Sequence, residues 1–234
     1  MTGPAQIEAV LFDKDGTLYD FGKSWNGWSG MILEHLSGGD EVRAEALAGA
    51  IGYDRQAGCY LPHSPAIAGT NAEVAAALAG ELPGADLAAI ERFLEESAAR
   101  IELHEAVPLA AVLGDLAQVG LRLGVMTNDH ESAARAHLSR TGVLEIFEFI
   151  AGADSGFGAK PDPDPLLAFC TAVRVRPEAT VMVGDSTHDL VAGRAAGMIT
   201  IGVLTGMSGP SDLAPHADAV LPDISHLATW IASR

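Results

Sequence analysis

Ala9-Val10-Leu11-Phe12-Asp13-Lys14-Asp15-Gly16-Thr17-Leu18 decides how the chain is read. A short apolar run ends abruptly in two carboxylates one residue apart, and a Gly-Thr turn follows. Such a run, entered from a polar segment, predicts a buried strand. Asp13 and Asp15 then stand at its C-terminal edge, where parallel α/β sheets place their ligands. Two carboxylates this close repel unless a cation or a shared proton intervenes. The stretch therefore predicts a functional site whose other parts come from elsewhere in the chain.

Beyond Leu18 the period changes from strand to helix. Trp25, Trp28, Met31, Ile32 and Leu36 recur at spacings of three and four, which predicts an amphipathic helix over Ser24–Leu36. Helical spacing resumes over Glu41–Ala50. Residues 52–69 are irregular and rich in Gly and Pro, and a loop of that length predicts a functional role. Thr70 with Glu73 forms a capping-box signature opening another helix. A further helix is predicted from after Pro83-Gly84 to about Leu103. Tyr19–His104 thus reads as an all-helical insert.

From Pro108 helices and strands alternate. Strands are predicted at Leu121–Met126, Phe149–Ala151, Thr180–Val183, Met198–Val203 and, weakly, Ala219–Leu221. Helices are predicted at Leu109–Val119, Ser132–Arg140, after Pro165, and at His188–Ala196. This alternation predicts an α/β fold: a Rossmann-like, doubly wound parallel sheet carrying an inserted helical cap. The expected division is core 1–18 and 105–234, with cap 19–104.

Four strands end in polar residues. The first brings Asp13 and Asp15, the second Thr127 and Asn128, the third leads to Lys160, and the fourth brings Asp185 with Asp189 four residues on. Singly, these residue types are better explained as helix caps, turn formers and solvated lysine. Together, at successive C-terminal strand edges, they converge on one crevice. Three hard carboxylates suit Mg²⁺, which takes few protein oxygens and keeps waters and substrate oxygens. A metal, a lysine, a hydroxyl and backbone amides near Gly16 and Asn128 are what a transferring phosphoryl group needs. One carboxylate attacks phosphorus and the other moves protons.

These four segments, ending in Gly184-Asp185-Ser186-Thr187-His188-Asp189, resemble the motifs of the haloacid dehalogenase superfamily in order and spacing. The insert resembles the cap of its phosphoglycolate-phosphatase-like branch. The resemblance implies that Asp13 is the nucleophile and Asp15 the general acid/base, with Thr127 and Lys160 binding the phosphoryl group. It implies that Asp13, the backbone carbonyl of Asp15, and Asp185 hold Mg²⁺, with Asp189 supporting the metal directly or through water. Lys14 departs from the small or apolar residue frequent between the two aspartates, and Phe21 stands where a serine is often found.

Asp15 favours phosphate esters over halogenated acids, whose relatives typically lack an acid at that position. A phosphomutase acting on a sugar phosphate is the alternative enzyme. A phosphono-hydrolase would need a cap lysine, and the insert holds only Lys23. A non-catalytic phosphoacceptor or binding module is the other alternative; a receiver domain is roughly half this length and has no such insert. For cap specificity the candidates are Arg55 and His63, with Tyr53 nearby; each also reads as solvated cap surface. Trp25 and Trp28 read as lining the entrance or, more commonly for aromatics at helical spacing, as the cap's own core; Lys14 as a source of positive potential or, more commonly, as a solvent-facing strand-end lysine; and His130 and His188 as helix-start residues, His188 also as a gate to the site.

Composition agrees. The 234 residues are enough for one large domain with an insert, and 48% are hydrophobic. Fourteen basic against 31 acidic residues give a net charge of -17, which disfavours nucleic acid and anionic membranes as partners. The expected partner is a small phosphorylated metabolite; no residue pattern speaks to oligomeric state. Cys59 and Cys170 form no framework, and Met1–Glu8 shows no signal-peptide pattern, so a cytoplasmic location is expected. No apolar run reaches membrane-spanning length.

Overall fold

The structure, a computed structural model, describes residues 6–234. The expectation for Met1–Glu8 falls largely outside the described residues, as do the first five residues of segment 1–18. In chain order the elements are β1 (Ala9–Phe12), α1 (Phe21–Ser37), α2 (Glu41–Ala50), β2 (Tyr53–Asp54), β3 (Cys59–Tyr60), α3 (Asn71–Gly80) and α4 (Leu87–Ala98). There follow α5 (Leu109–Gln118), β4 (Arg122–Met126), α6 (Glu131–Arg140), β5 (Phe149–Ala151), α7 (Asp164–Val173), β6 (Thr180–Gly184) and α8 (Thr187–Ala195). The chain closes with β7 (Ile199–Val203), α9 (Pro210–Leu213), β8 (Ala219–Leu221) and α10 (Leu227–Ala232).

Six strands form one parallel sheet in the order β5-β4-β1-β6-β7-β8, with β1 inside it. Alternate residues of each strand feed opposite layers. Val10, Phe12, Leu123, Val125, Val181 and Val183 pack with Leu113 and Leu116 of α5 and Leu138 of α6. Ala9, Leu11, Met126 and Met182 pack with Leu166 and Phe169 of α7 and Ala192 of α8. Both faces being covered explains why β1 is buried at every residue.

The insert has a separate apolar cluster. Ile32 and Leu33 of α1, Leu47 of α2, Leu78 of α3 and Leu94 of α4 meet there. Asp20, Asp40 and Asp86 cap α1, α2 and α4, and the capping box of Thr70 and Glu73 opens α3 as predicted. Two details differ from the sequence reading. The insert is not purely helical, because β2 and β3 pair antiparallel, Tyr53 opposite Tyr60. The Asp54 carboxylate builds the turn by accepting from the amides of Gln56 and Ala57 at 2.9 and 2.8 Å. α4 ends at Ala98, short of Leu103, because the chain must turn back to the core. There the amide of Ala106 donates to the Leu18 carbonyl at 2.9 Å, and the amide of Asp20 to the His104 carbonyl at 2.8 Å. No helix among the described residues is long and apolar enough to cross a membrane.

Gly124 in β4 faces Phe169 of α7, and a Cβ there would fall 2.6 Å from the ring. Overpacking of this kind costs about 1–3 kcal/mol. Gly124→Ala is expected to lower the urea midpoint accordingly, whereas Gly114→Ala in α5, where a Cβ meets nothing within 4 Å, leaves it the same or higher.

Candidate active site

Register places the strand ends together. Phe12 lies opposite Val125 and Val183, so Asp13, Thr127 and Asp185 leave their strands at one edge of the sheet. Lys160 reaches the same point from the segment between β5 and α7. Its Nζ donates to Asp13 Oδ1 and to Asp189 Oδ1, both at 2.6 Å. Asn128 holds that lysine in place: its Oδ1 accepts from the Lys160 amide at 2.9 Å, and its Nδ2 donates to the Lys160 carbonyl at 2.8 Å. The same Nδ2 lies 2.8 Å from the carbonyl of Ala68, in the insert's loop. The Asn128 side chain is therefore occupied, and only its backbone is left for a ligand.

Asp189 serves two neighbours. One oxygen meets Lys160, while the other accepts from the amide and hydroxyl of Ser186 at 3.1 and 2.7 Å, opening α8. Asp185 lies against Gly16, which has φ +82° and where any Cβ would fall 2.4 Å from the Asp185 carboxyl carbon. Only glycine combines that backbone angle with that approach.

Asp13, Asp185 and Asp189 are buried, and each offers an oxygen within 4.8 Å of the others. Burial, more than any neighbouring charge, raises Asp13 to about 7, with Lys160 opposing and Asp189 adding to the rise. Burial also raises Asp185 well above its ordinary value, and the charge of Asp13 adds to it. Burial works against the charge of Lys160, yet Asp13 and Asp189 hold it above the usual lysine range. Three hard oxygens with one lysine between them leave a net negative site, and that donor set fits a hard divalent cation. The Asp15 side chain is not in this cluster.

Asp15 is held differently. Its Oδ1 accepts from Trp25 Nε1 at 2.7 Å, and its Oδ2 lies 3.0 Å from Lys14 Nζ. Lys14 is fully buried and does not face solvent. Its ammonium also donates to Asp129 Oδ2 at 2.7 Å, meets His137 Nδ1 at 3.0 Å, and lies 5.6 Å from the Trp25 ring centroid. His137 Nε2 is 2.9 Å from the carbonyl of Ala98, so that nitrogen donates and Nδ1 accepts from Lys14. Burial, with the adjacent Lys14 ammonium, pushes His137 down to about 4. For two residues the commoner of the two sequence readings is thereby corrected. Lys14 is an interior ion-pair partner because β1 is covered on both faces, and Trp25 touches the site rather than only the cap's core.

A cleft of about 730 Å³, including its solvent-open mouth, lies between the sheet edge and the insert. Asp13, Asp15, Thr127, Asn128, Lys160, Asp185 and Asp189 all line it, as does His188 at the start of α8. Arg55 and His63 are not brought there. Arg55 pairs with Glu41 and Glu45 on the outer face of α2, and His63 is exposed elsewhere on the loop. The buried Tyr53 donates to the Asn26 carbonyl instead. From the insert, Trp25, Trp28, Ile67 and Asn71 reach the cleft. Asp129 and His137 were not singled out from the sequence. Asp129 follows Thr127-Asn128 directly, and a histidine among the helix's apolar residues Ala133, Ala134 and Leu138 was the available signal.

The family model for haloacid dehalogenase-like hydrolases matches residues 7–197. Phosphoglycolate phosphatase of Nitrosospira multiformis is 30% identical over 94% of this chain and 94% of its own length. N-acetylmuramic acid 6-phosphate phosphatase of Pseudomonas putida is 30% identical over 88% of this chain and 87% of its own. Phosphoglycolate phosphatase of Rhodospirillum rubrum is 37% identical, over 52% of this chain and half of that protein. Among solved structures, CbbY from Rhodobacter sphaeroides, in complex with phosphate, superposes with a TM-score of 0.72 at 24% identity, covering 94% and 96% of the two chains. At that identity the likeness concerns the fold.

Removing one partner of a buried ion pair strands the others, at about 3–5 kcal/mol. Lys14→Met leaves Asp15 and Asp129 without their ammonium and is expected to lose stability on that scale in urea unfolding. Lys23→Met, at an exposed pair with Asp20, is expected to leave the midpoint within measurement error.

Proposed function

The chain belongs to the haloacid dehalogenase-like hydrolases, in their phosphoglycolate-phosphatase-like branch, and we propose that it hydrolyses small phosphomonoesters with Mg²⁺ through an aspartyl phosphate on Asp13. The observation that carries this reading is the pairing of a buried Asp13, bound to Lys160, with a second carboxylate, Asp15, held apart from it by its own partners. Close carboxylates given different surroundings take different roles.

In this reading the Lys160 ammonium, the Thr127 hydroxyl and the Asn128 backbone amide orient the phosphoryl oxygens. An Asp13 carboxylate oxygen bonds to phosphorus as the ester P–O bond breaks, and Asp15 gives its proton to the departing alkoxide. Asp15, now ionised, takes a proton from water as that water's oxygen bonds to phosphorus. The bond from phosphorus to Asp13 breaks, and phosphate leaves. Mg²⁺, when bound by Asp13, Asp185, the Asp15 carbonyl and Asp189, would neutralise charge on the phosphoryl oxygens. We assign residues 19–104 to a cap that closes over the core of 1–18 and 105–234 and excludes water. The two cysteines, unpaired in the structure, accord with a cytoplasmic setting.

Phosphate release from p-nitrophenyl phosphate with Mg²⁺ is the primary test, and a folded protein inert toward all phosphoesters would refute the reading. Asp13→Asn is expected to abolish turnover while the circular dichroism spectrum is unchanged. Asp15→Asn is expected to lose about 10²- to 10⁴-fold in kcat on alkyl phosphates, and less on p-nitrophenyl phosphate, whose leaving group needs no proton.

Metal binding has a pH signature. Asp13 is raised from 3.8 to about 7. Between those values the metal-free native state keeps a proton that the unfolded chain has released. The associated stability is present below about pH 4 and is lost as pH rises toward 7. A cation must displace that proton, so its stabilising effect grows over the same window. His137, lowered to about 4, contributes with the opposite sign but is no ligand, and it cancels when melting is compared with and without metal. The Mg²⁺-induced rise in Tm is expected to be larger at pH 7.5 than at pH 5; an equal rise would remove Asp13 from the metal site.

A further inference from the structure

The phosphatases reported above are named for phosphate esters of carboxylic acids, glycolate and N-acetylmuramic acid, and the insert's side of the cleft bears on whether this chain takes such a group. Among the described residues the cleft's one lysine is Lys160, whose ammonium is committed to Asp13 and Asp189, and no arginine lines it. The insert's own cations lie elsewhere. Lys23 pairs with Asp20, Arg43 with Asp40, and Arg55 with Glu41 and Glu45. Arg92 and Arg100 are exposed and do not line the cleft. Lys14 lies behind Trp25 and does not line it either.

Helix N-termini, the other source of positive potential, are already filled. That of α3, beside the cleft, holds the Glu73 carboxylate, which accepts from the Thr70 amide at 2.7 Å and its hydroxyl at 3.1 Å. That of α6 holds Asp154, which accepts from the Glu131 amide at 2.8 Å, and that of α8 holds Asp189. A second anionic group on a substrate would therefore meet Asp15 and Asp129, which share the single ammonium of Lys14, with no cation of its own.

What the insert does present is ring surface. Trp25 and Trp28 meet edge to face at 5.0 Å, and Phe21 and Tyr60 pack at 5.4 Å. The polar ends of these rings are occupied: Trp25 Nε1 by Asp15, Trp28 Nε1 by Ser97 at 2.9 Å, and the Tyr60 hydroxyl by Ser29. Ile67 and Val74 extend this wall, and of its polar side chains Thr70 gives its hydroxyl to Glu73 and Asn71 Nδ2 meets His130 Nδ1 at 3.0 Å. A polyhydroxylated leaving group would leave hydroxyls unpaired against such a wall, whereas a flat apolar ring covers it.

We propose, on the basis of the phosphatase reading above, that the cleft takes phosphate esters of uncharged, ring-bearing alcohols of the aryl or benzyl kind, and discriminates against leaving groups that carry a carboxylate or a second phosphate. Benzyl phosphate and phosphoglycolate make a matched pair, since both carry a CH₂–O–phosphate and differ in phenyl against carboxylate.

With the full chain and Mg²⁺ at pH 8, kcat/KM for benzyl phosphate is expected to exceed that for phosphoglycolate, pyrophosphate and glucose 6-phosphate by about tenfold or more. Equal or better turnover of any of the three overturns the proposal. Ile67→Arg, which adds the missing cation, is expected to narrow the benzyl-to-phosphoglycolate ratio through the KM of phosphoglycolate, and Ile67→Gln is expected not to; an unchanged ratio in folded Ile67→Arg refutes the charge argument. Acetyl and p-nitrophenyl phosphate report on the chemistry separately. If neither is hydrolysed, the phosphatase reading fails, and titration of tryptophan fluorescence with benzylphosphonate against phosphonoacetate still decides the cleft's preference: tighter benzylphosphonate supports it, and the reverse overturns it.

Discussion

One ammonium between two buried carboxylates organises the functional edge of this protein. Lys160 Nζ stands 2.6 Å from both Asp13 and Asp189, and none of the three is more than slightly exposed. An isolated charge would not survive there. The arrangement requires β1, β6 with α8, and the segment before α7 to deliver their ends to one point, which the parallel register does. It also requires that the lysine not swing away, and the Asn128 side chain, bonded to both sides of the Lys160 peptide, prevents that. The sheet order, the capping box of α8 and the asparagine after β4 thus share one electrostatic purpose.

Lys14 makes a second, separate knot. Its partners Asp15, Asp129 and His137 come from the sheet edge and α6, while Trp25 and the Ala98 carbonyl come from the insert. Asp15 is therefore held jointly by the core and by an element that is not part of the sheet. The same tryptophan that orients the carboxylate also offers its ring to the cleft.

Much of this was legible because it is periodic or adjacent in sequence. Strand runs ending in Asp, Thr-Asn or Gly-Asp read directly, and the aligned ends followed from a parallel sheet. The start of α3 at the box of Thr70 and Glu73 was equally local. What escaped depended on distance. Lys14 looks like any strand-end lysine until Asp129 and His137, more than a hundred positions away, are placed against it. Arg55 looked like a specificity residue because it sits in the irregular loop, but Glu41 and Glu45 lie nearer in space. The pair of β2 and β3 was hidden because two-residue strands have no period to detect. Trp25 had the helical spacing of a core residue and is one, yet its indole nitrogen faces the other way.

The insert leaves and rejoins the core at the same place: Leu18 and Asp20 are hydrogen-bonded to Ala106 and His104 across the two crossing segments. A long excursion that begins and ends side by side adds little to the cost of closing the sheet, because its ends are already together once it has folded around its own apolar cluster. The same adjacency makes the insert a cassette. A different helical lobe whose termini are as close together would fit the two junctions without moving β1 or its carboxylates.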